Sequence, residues 1–273
     1  MKAAAFDYEK PADVAAAVKL LSGAQGMGKV IAGGQSLGPM LNLRLAQPQL
    51  LVDVRGIAEM CAVTETPEAL TIGACVTHAR IEDGKLPDAT RGLLPAVAAD
   101  IAYRAVRNRG TLGGSLAHAD PAADWVNTLA LLDAVAILQG PAGRRELKVT
   151  EFMHGPFATA LAEDELLVAV RIARLSKAAR WGYYKFCRKT GEFAEAIGAM
   201  LVDPERKVCR AVVGATTSVP HVVADARAIA ERFMPDEALK AVEAAGLGDD
   251  PYERQMHFAA LKRAAARMHG GGS

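Results

Sequence analysis

The stretch Lys29-Val30-Ile31-Ala32-Gly33-Gly34-Gln35-Ser36-Leu37 decides how the first part of the chain folds. A short run with β-branched residues ends on paired glycines, a hydroxyl follows, and Leu37 to Leu45 has the length for one or two turns of helix. Leu50-Leu51-Val52-Asp53-Val54 is a second run of the same kind. The segment therefore reads as a small β–loop–α–β unit with its glycine loop at the C-terminal end of a strand. Upstream, Pro11 to Leu21 reads as a helix, because Pro11 suits a first turn and Val14, Ala17, Val18 and Leu21 recur on one face.

Working outward, Ala62-Val63-Thr64 and Leu70-Thr71-Ile72-Gly73-Ala74 flank a Thr66-Pro67-Glu68 turn and predict a hairpin. Helices are expected over about Leu93 to Val106 and Ala122 to Leu132, with a segment of Gly, Ala and small polar residues, Asn108 to Pro121, between them. Ala134 to Leu138 and Glu165 to Ile172 are further strand candidates. The chain changes character near Ser176. Beyond it Tyr183-Tyr184-Lys185-Phe186, Ala196 to Val202 and Val208 to Ala215 resemble three antiparallel strands, and Ala-rich helices are expected from Val222 onward. A domain boundary near residue 176 follows, and Gly270-Gly271-Gly272-Ser273 reads as a flexible tail.

The 273 residues suffice for a substantial core, and 51% hydrophobic and 23% charged residues are globular values. Lys plus Arg (32) nearly balances Asp plus Glu (31), so no overall positive field favours nucleic acid or an anionic membrane. The N-terminal residues lack the apolar run of a signal peptide, and no apolar stretch reaches the roughly 18 residues of a membrane span. A cytoplasmic protein without a membrane span is expected. Cys61, Cys75, Cys187 and Cys209 form no CxxC pair, which argues against an iron–sulfur or zinc site in this chain and for buried thiols.

Ala32-Gly33-Gly34-Gln35-Ser36 has the chemistry of an anion site: glycine lets backbone approach a phosphate closely, and free N–H groups at a helix start donate to oxygens. A structural turn is the competing reading. Thr111-Leu112-Gly113-Gly114-Ser115 repeats the pattern about eighty residues later, as a diphosphate spanning a cleft would require. Neither stretch matches GxGxxG or GxxxxGK[ST], so Rossmann and P-loop sites are disfavoured. No Ser/His/Asp or Cys/His nucleophile arrangement can be argued from spacing.

Ile31 to Leu37 with Leu50 to Val54, then Asn108 to Asp124 (NRGTLGGSLAHADPAAD), then Tyr183 to Gly191 (YYKFCRKTG) resemble the medium, FAD-binding subunits of the xanthine dehydrogenase and aerobic carbon monoxide dehydrogenase family of molybdenum hydroxylases. The resemblance spans essentially the whole chain. It implies an α+β fold: a two-subdomain FAD-binding domain of the vanillyl-alcohol oxidase (PCMH) type over residues 1–176, with subdomains of about 1–56 and 57–176. A C-terminal domain with a three-stranded antiparallel sheet and helices, 177–269, would follow.

It also implies non-covalent FAD held by Ala32, Gly33, Gly34, Gln35, Ser36 and Leu37 and by Thr111, Leu112, Gly113, Gly114 and Ser115. Asp124, Leu166, Leu167 and Lys185 match positions near the flavin or its ribityl chain. Asp124 also reads as a helix N-cap, and Lys185 as a solvated edge residue. His118 is given a loop-structuring role rather than a covalent flavin link. Arg104 to Arg109 reads as a solvated helix end or a partner-facing run.

The implied function is an electron-transfer subunit. Electrons would come from [2Fe–2S] clusters of a small iron–sulfur subunit, fed by the molybdenum cofactor of a large subunit, and leave to an external acceptor, in a dimer of heterotrimers. A stand-alone FAD oxidase or reductase and a non-enzymatic nucleotide-sensing or assembly module are the competing classes.

Overall fold

The computed structural model describes residues 2–270, so Gly271 to Ser273 of the expected tail lie outside the described residues. The chain runs β1 (Asp7–Glu9), α1 (Val14–Gly23), β2 (Gly28–Ile31), α2 (Leu37–Asn42), β3 (Leu50–Asp53), α3 (Ala58–Cys61), β4 (Val63–Glu65), β5 (Ala69–Gly73), α4 (His78–Glu82), α5 (Leu93–Ala99), α6 (Arg104–Arg107), α7 (Leu112–His118) and α8 (Asp124–Leu131). It continues through β6 (Val135–Gly140), β7 (Gly143–Lys148), α9 (Val149–Phe152), β8 (Met153–Gly155), β9 (Ala158–Thr159) and β10 (Leu166–Ala173). The last part holds β11 (Arg180–Phe186), β12 (Ala196–Asp203), β13 (Val208–Gly214), β14 (His221–Val223), α10 (Arg227–Ala230), α11 (Pro235–Glu243) and α12 (Pro251–His269).

β2 and β3 pair in parallel around α2, and β1 joins the far side of β3 to give a three-stranded sheet in the order β1-β3-β2. The helix expected from Pro11 starts at Val14, because the Asp13 carboxylate accepts the Ala16 N–H and caps it there; Val14, Ala17, Val18 and Leu21 are its buried face. At the C-terminal end of β3, Tyr8 donates its hydroxyl to Asp53 and Arg55 holds the same carboxylate at 2.6 Å, which ties β1 to β3. The pairing holds the Asp53 carboxyl well below its usual range.

A five-stranded antiparallel sheet in the order β4-β5-β10-β6-β7 follows, with the expected hairpin at one edge. The single helix expected over 93–106 is two, α5 and α6: Ala102 has φ +42°, which the right-handed helix excludes. At this helix end Arg104, still exposed, binds Glu82 and Asp83, and Arg107 binds Glu82 and the carbonyls of Ile101 and Ala102. Of the cysteines only Cys75 is fully buried.

The last sheet has four strands rather than three, β11-β12-β13-β14. The short strand β14 precedes the helices, which begin at Arg227 rather than Val222. All of β12 is buried. Ile197, Ala199 and Leu201 join the core shared with the residues before 174, whereas Met200 and Val202 face α10, α11 and α12. Gly182 and Gly198 let α12 lie directly on the sheet: a Cβ on Gly198 would come within 2.6 Å of the Leu261 nitrogen, and one on Gly182 would overlap the Ala264 carbonyl. Among the described residues no strand pair joins residues before 174 to residues from 180 onward.

Candidate functional site

β2 delivers its C-terminal end into a cavity of about 500 Å³, within the range of small-molecule sites. There Gly34 has φ +71°, a conformation open to glycine, and Ala32, Gly33, Gln35, Ser36 and Leu37 line the wall with it. Among the described residues, no protein acceptor meets the backbone N–H groups of Gly33, Gly34, Gln35 or Ser36; the first amide of this turn to find one is Gly38, which donates to Gly34 at 2.9 Å. Gln35 folds its side-chain amide back onto the Gly33 carbonyl at 3.1 Å. The result is a row of backbone donors without a protein acceptor in the wall of a cavity, an arrangement suited to an anion.

The second glycine stretch has a different part. Thr111 to Ser115 is not a loop but the N-cap and first turn of α7, and the Thr111 hydroxyl accepts the Gly114 N–H at 3.0 Å. Leu112 donates to Val76 at 3.0 Å and Gly113 to Ala74 at 2.9 Å, so these amides are occupied by the protein. Thr111, Gly113, Gly114 and Ser115 line the cavity as a small-residue wall with hydroxyls, while Leu112 points into the core and is absent from the lining.

The two stretches meet. A Cβ on Gly33 would overlap the carbonyl of Arg109 and stand 2.8 Å from the Gly110 Cα, and one on Gly114 would lie 3.8 Å from the Ala32 Cβ. Glycine at 33 thus sets the close approach of the two walls.

Asp124 is not the N-cap of α8. Ala123 is the cap, without a side-chain bond, and Asp124 is the first helical residue. Its buried carboxylate lines the cavity and accepts the Tyr183 hydroxyl at 2.7 Å and the Lys185 ammonium at 3.1 Å. Burial pushes the Asp124 carboxyl up, against the opposing pull of Lys185 and Tyr183, and the same burial pushes the Tyr183 phenol well up. Lys185 is no solvated edge residue: its side chain is 5% exposed and also donates to the Asp100 carbonyl at 2.6 Å. It supports the wall from behind, through Asp124, and does not line the cavity. Removing either partner of such a buried pair strands a charge, which typically costs about 3–5 kcal/mol.

Leu166 and Leu167, at the start of β10, line the cavity. His118 also lines it, its ring 5.1 Å from that of Phe157, an exposed residue held at φ +57° in the turn between β8 and β9. The structure adds lining residues that the sequence reading passed over: Ala74, Cys75 and His78 beyond β5, Ile101 between α5 and α6, and Phe193 after β11. A run of small residues after a strand, closing on Thr77-His78 as a helix start, was the available signal for the first three.

The donor set, the close glycine approach and the apolar remainder of the wall fit an elongated dinucleotide with a diphosphate in its middle. Comparison with known proteins agrees. Residues 4–174 match the model of the FAD-binding domain in molybdopterin dehydrogenase. The chain is 34% identical over 257 residues, covering 92% of it and 87% of the relative, to the 6-hydroxypseudooxynicotine dehydrogenase complex subunit alpha of Paenarthrobacter nicotinovorans. It is 37% identical over 191 residues, 70% of this chain and 67% of the other, to the carbon monoxide dehydrogenase medium chain of Hydrogenophaga pseudoflava. In three dimensions it matches a chain of quinoline 2-oxidoreductase from Pseudomonas putida 86 with a TM-score of 0.88, at 32% identity and 99% coverage of each. The chain belongs to the family of FAD-binding domains of molybdopterin dehydrogenases.

Proposed function

We propose that this chain is the flavin-carrying electron-transfer subunit of a molybdenum hydroxylase. It holds FAD non-covalently and takes electrons from [2Fe–2S] clusters of a small partner subunit. Those clusters are fed by the molybdenum cofactor of a large subunit, and an external acceptor receives the electrons. The observation that carries the reading is the row of unpaired N–H groups at Gly33 to Ser36, pressed by the Gly33–Arg109 contact against the second wall of a dinucleotide-sized cavity. FAD supplies the redox centre when bound.

The chain's own residues bind and orient. Gly33 to Ser36 receive the diphosphate; Thr111 and Ser115 offer hydroxyls; Asp124, fixed by Tyr183 and Lys185, and Leu166 and Leu167 shape the wall for the flavin and ribityl chain. The fold reading that goes with this is the two-subdomain vanillyl-alcohol oxidase (PCMH) type with a C-terminal domain from about residue 177. Among the described residues, strand pairing that stays within 7–173 and within 180–225 supports it. A dimer of heterotrimers in the cytoplasm completes the proposal; among the described residues no helix is long and apolar enough to cross a membrane.

The test is reconstitution. Acid precipitation of the FAD-loaded chain should leave a colourless pellet and a yellow supernatant, and a yellow pellet would overturn non-covalent binding. Purines, N-heterocycles, aldehydes or carbon monoxide should bleach the flavin only after the co-purifying iron–sulfur and molybdenum subunits are added. Rapid bleaching of the isolated chain would make it a stand-alone flavoprotein instead.

A further inference from the structure

His78 is 4% exposed and yet lines the cavity. It opens α4, where the Thr77 hydroxyl caps the helix by accepting the Arg80 N–H. Its Nδ1 accepts the indole N–H of the fully buried Trp125 at 2.9 Å. One ring nitrogen is thus an acceptor, and the proton of the neutral ring must sit on Nε2. Burial, helped by the charge of Arg107, pushes the imidazole down to about 4, so the ring stays neutral at ordinary pH. The Cδ2–Nε2 edge lies under Gly110, 2.8 Å from where a Cβ on that residue would stand, which makes glycine a requirement there. No protein acceptor among the described residues meets Nε2, and the atom is not sealed in the core with the unpaired polar atoms Asn127 Oδ1 and Thr128 Oγ1, so its N–H is open to the adjoining space. The space that adjoins the ring is the cavity.

We infer that the Nε2–H of His78 donates a hydrogen bond to the bound dinucleotide, at an uncharged acceptor such as a ring nitrogen, a ring carbonyl or a hydroxyl of the ribityl chain or ribose. This rests on the reading of the cavity as the FAD site. The diphosphate has its own donors at Gly33 to Ser36, and an anion against His78 would draw a proton onto the ring. Trp125 is the positioning residue: its indole N–H fixes the tautomer and the ring plane, and it adjoins Asp124 in the same helical turn, so one element sets two cofactor-facing groups.

The full chain, labelled with [¹⁵N]histidine, is stripped of flavin and then titrated with FAD, and in separate samples with FMN and with ADP. One imidazole Nε2–H signal among the six histidines should move and become protected from exchange on FAD addition, and should be missing in His78→Gln. A response to FMN or to ADP supports the inference and assigns the acceptor to that half. His78→Gln, which keeps an N–H donor, should bind FAD within about threefold of the parent, and His78→Leu about tenfold more weakly with unchanged circular dichroism. If the parent retains FAD by absorbance after filtration while the His78 signal stays still, the inference falls and the flavin reading stands. If the parent retains no FAD, both fall. Should His78→Leu fail to fold, the titration of the parent decides alone.

Discussion

His78 and Gly34 show what single residues contribute to the cavity. The folded His78 titrates near 4 and the unfolded one near 6.5. Between those values the unfolded chain takes up a proton that the folded chain refuses. Its contribution to stability is therefore complete above about pH 6.5 and is lost as the pH falls towards 4, by up to about 3 kcal/mol. Urea unfolding at about pH 7 and about pH 4.5 should show a shallower pH dependence in His78→Gln than in the parent, and equal slopes would remove His78 from the acid sensitivity. At Gly34 the backbone conformation and the ligand ask for the same residue. Gly34→Asp adds strain at φ +71° and sets a carboxylate beside the free amides, where it repels a diphosphate. FAD affinity should drop at least about tenfold with the far-ultraviolet spectrum retained, and full flavin occupancy would take this turn out of the site.

Among the elements, α12 is held where it is by two glycines in the strands beneath it. Gly198→Val would drive a branched side chain into the Ala260–Leu261 backbone, and a loss of several kcal/mol in urea unfolding is expected, in the range of an overpacked core. Gly38→Ala, in α2 with open space around it, should be neutral or gain up to about 1 kcal/mol; a Gly198→Val variant no less stable than this control would mean that α12 is not in backbone contact with the sheet. Elements also mark how far the sequence could be read. β2, β3 and β10 were legible because their β-branched runs state their period locally, and the turn at Gly33 and Gly34 because only its backbone chemistry matters there. The break between α5 and α6 was not, since an alanine at φ +42° leaves no sign in composition. α7 hid because its first turn is built of glycines, poor helix formers that Thr111 caps and Ala74 and Val76 anchor from outside. Lys185 looked like an edge residue because its partner, Asp124, lies 61 positions away, and His78 stayed silent because Trp125 is 47 positions away.

Across the whole molecule, the flavin-type part and the C-terminal part share a core through Tyr183, Ile197, Ala199, Leu201 and Val212, while the opposite face of the same sheet closes a second core with the last helices. Neither part can shed the other without exposing that sheet. Calorimetry of the cofactor-free chain should show one endotherm whose van't Hoff and calorimetric enthalpies agree, and two separated endotherms would show that the parts melt independently. The strand between the two cores has a consequence for mutational tolerance. An ordinary half-buried strand alternates permissive and intolerant positions. β12 has no solvent side on which change is neutral, so any substitution along it must be absorbed by neighbours above or below, and the strand forms an unbroken band of constraint through the middle of the protein.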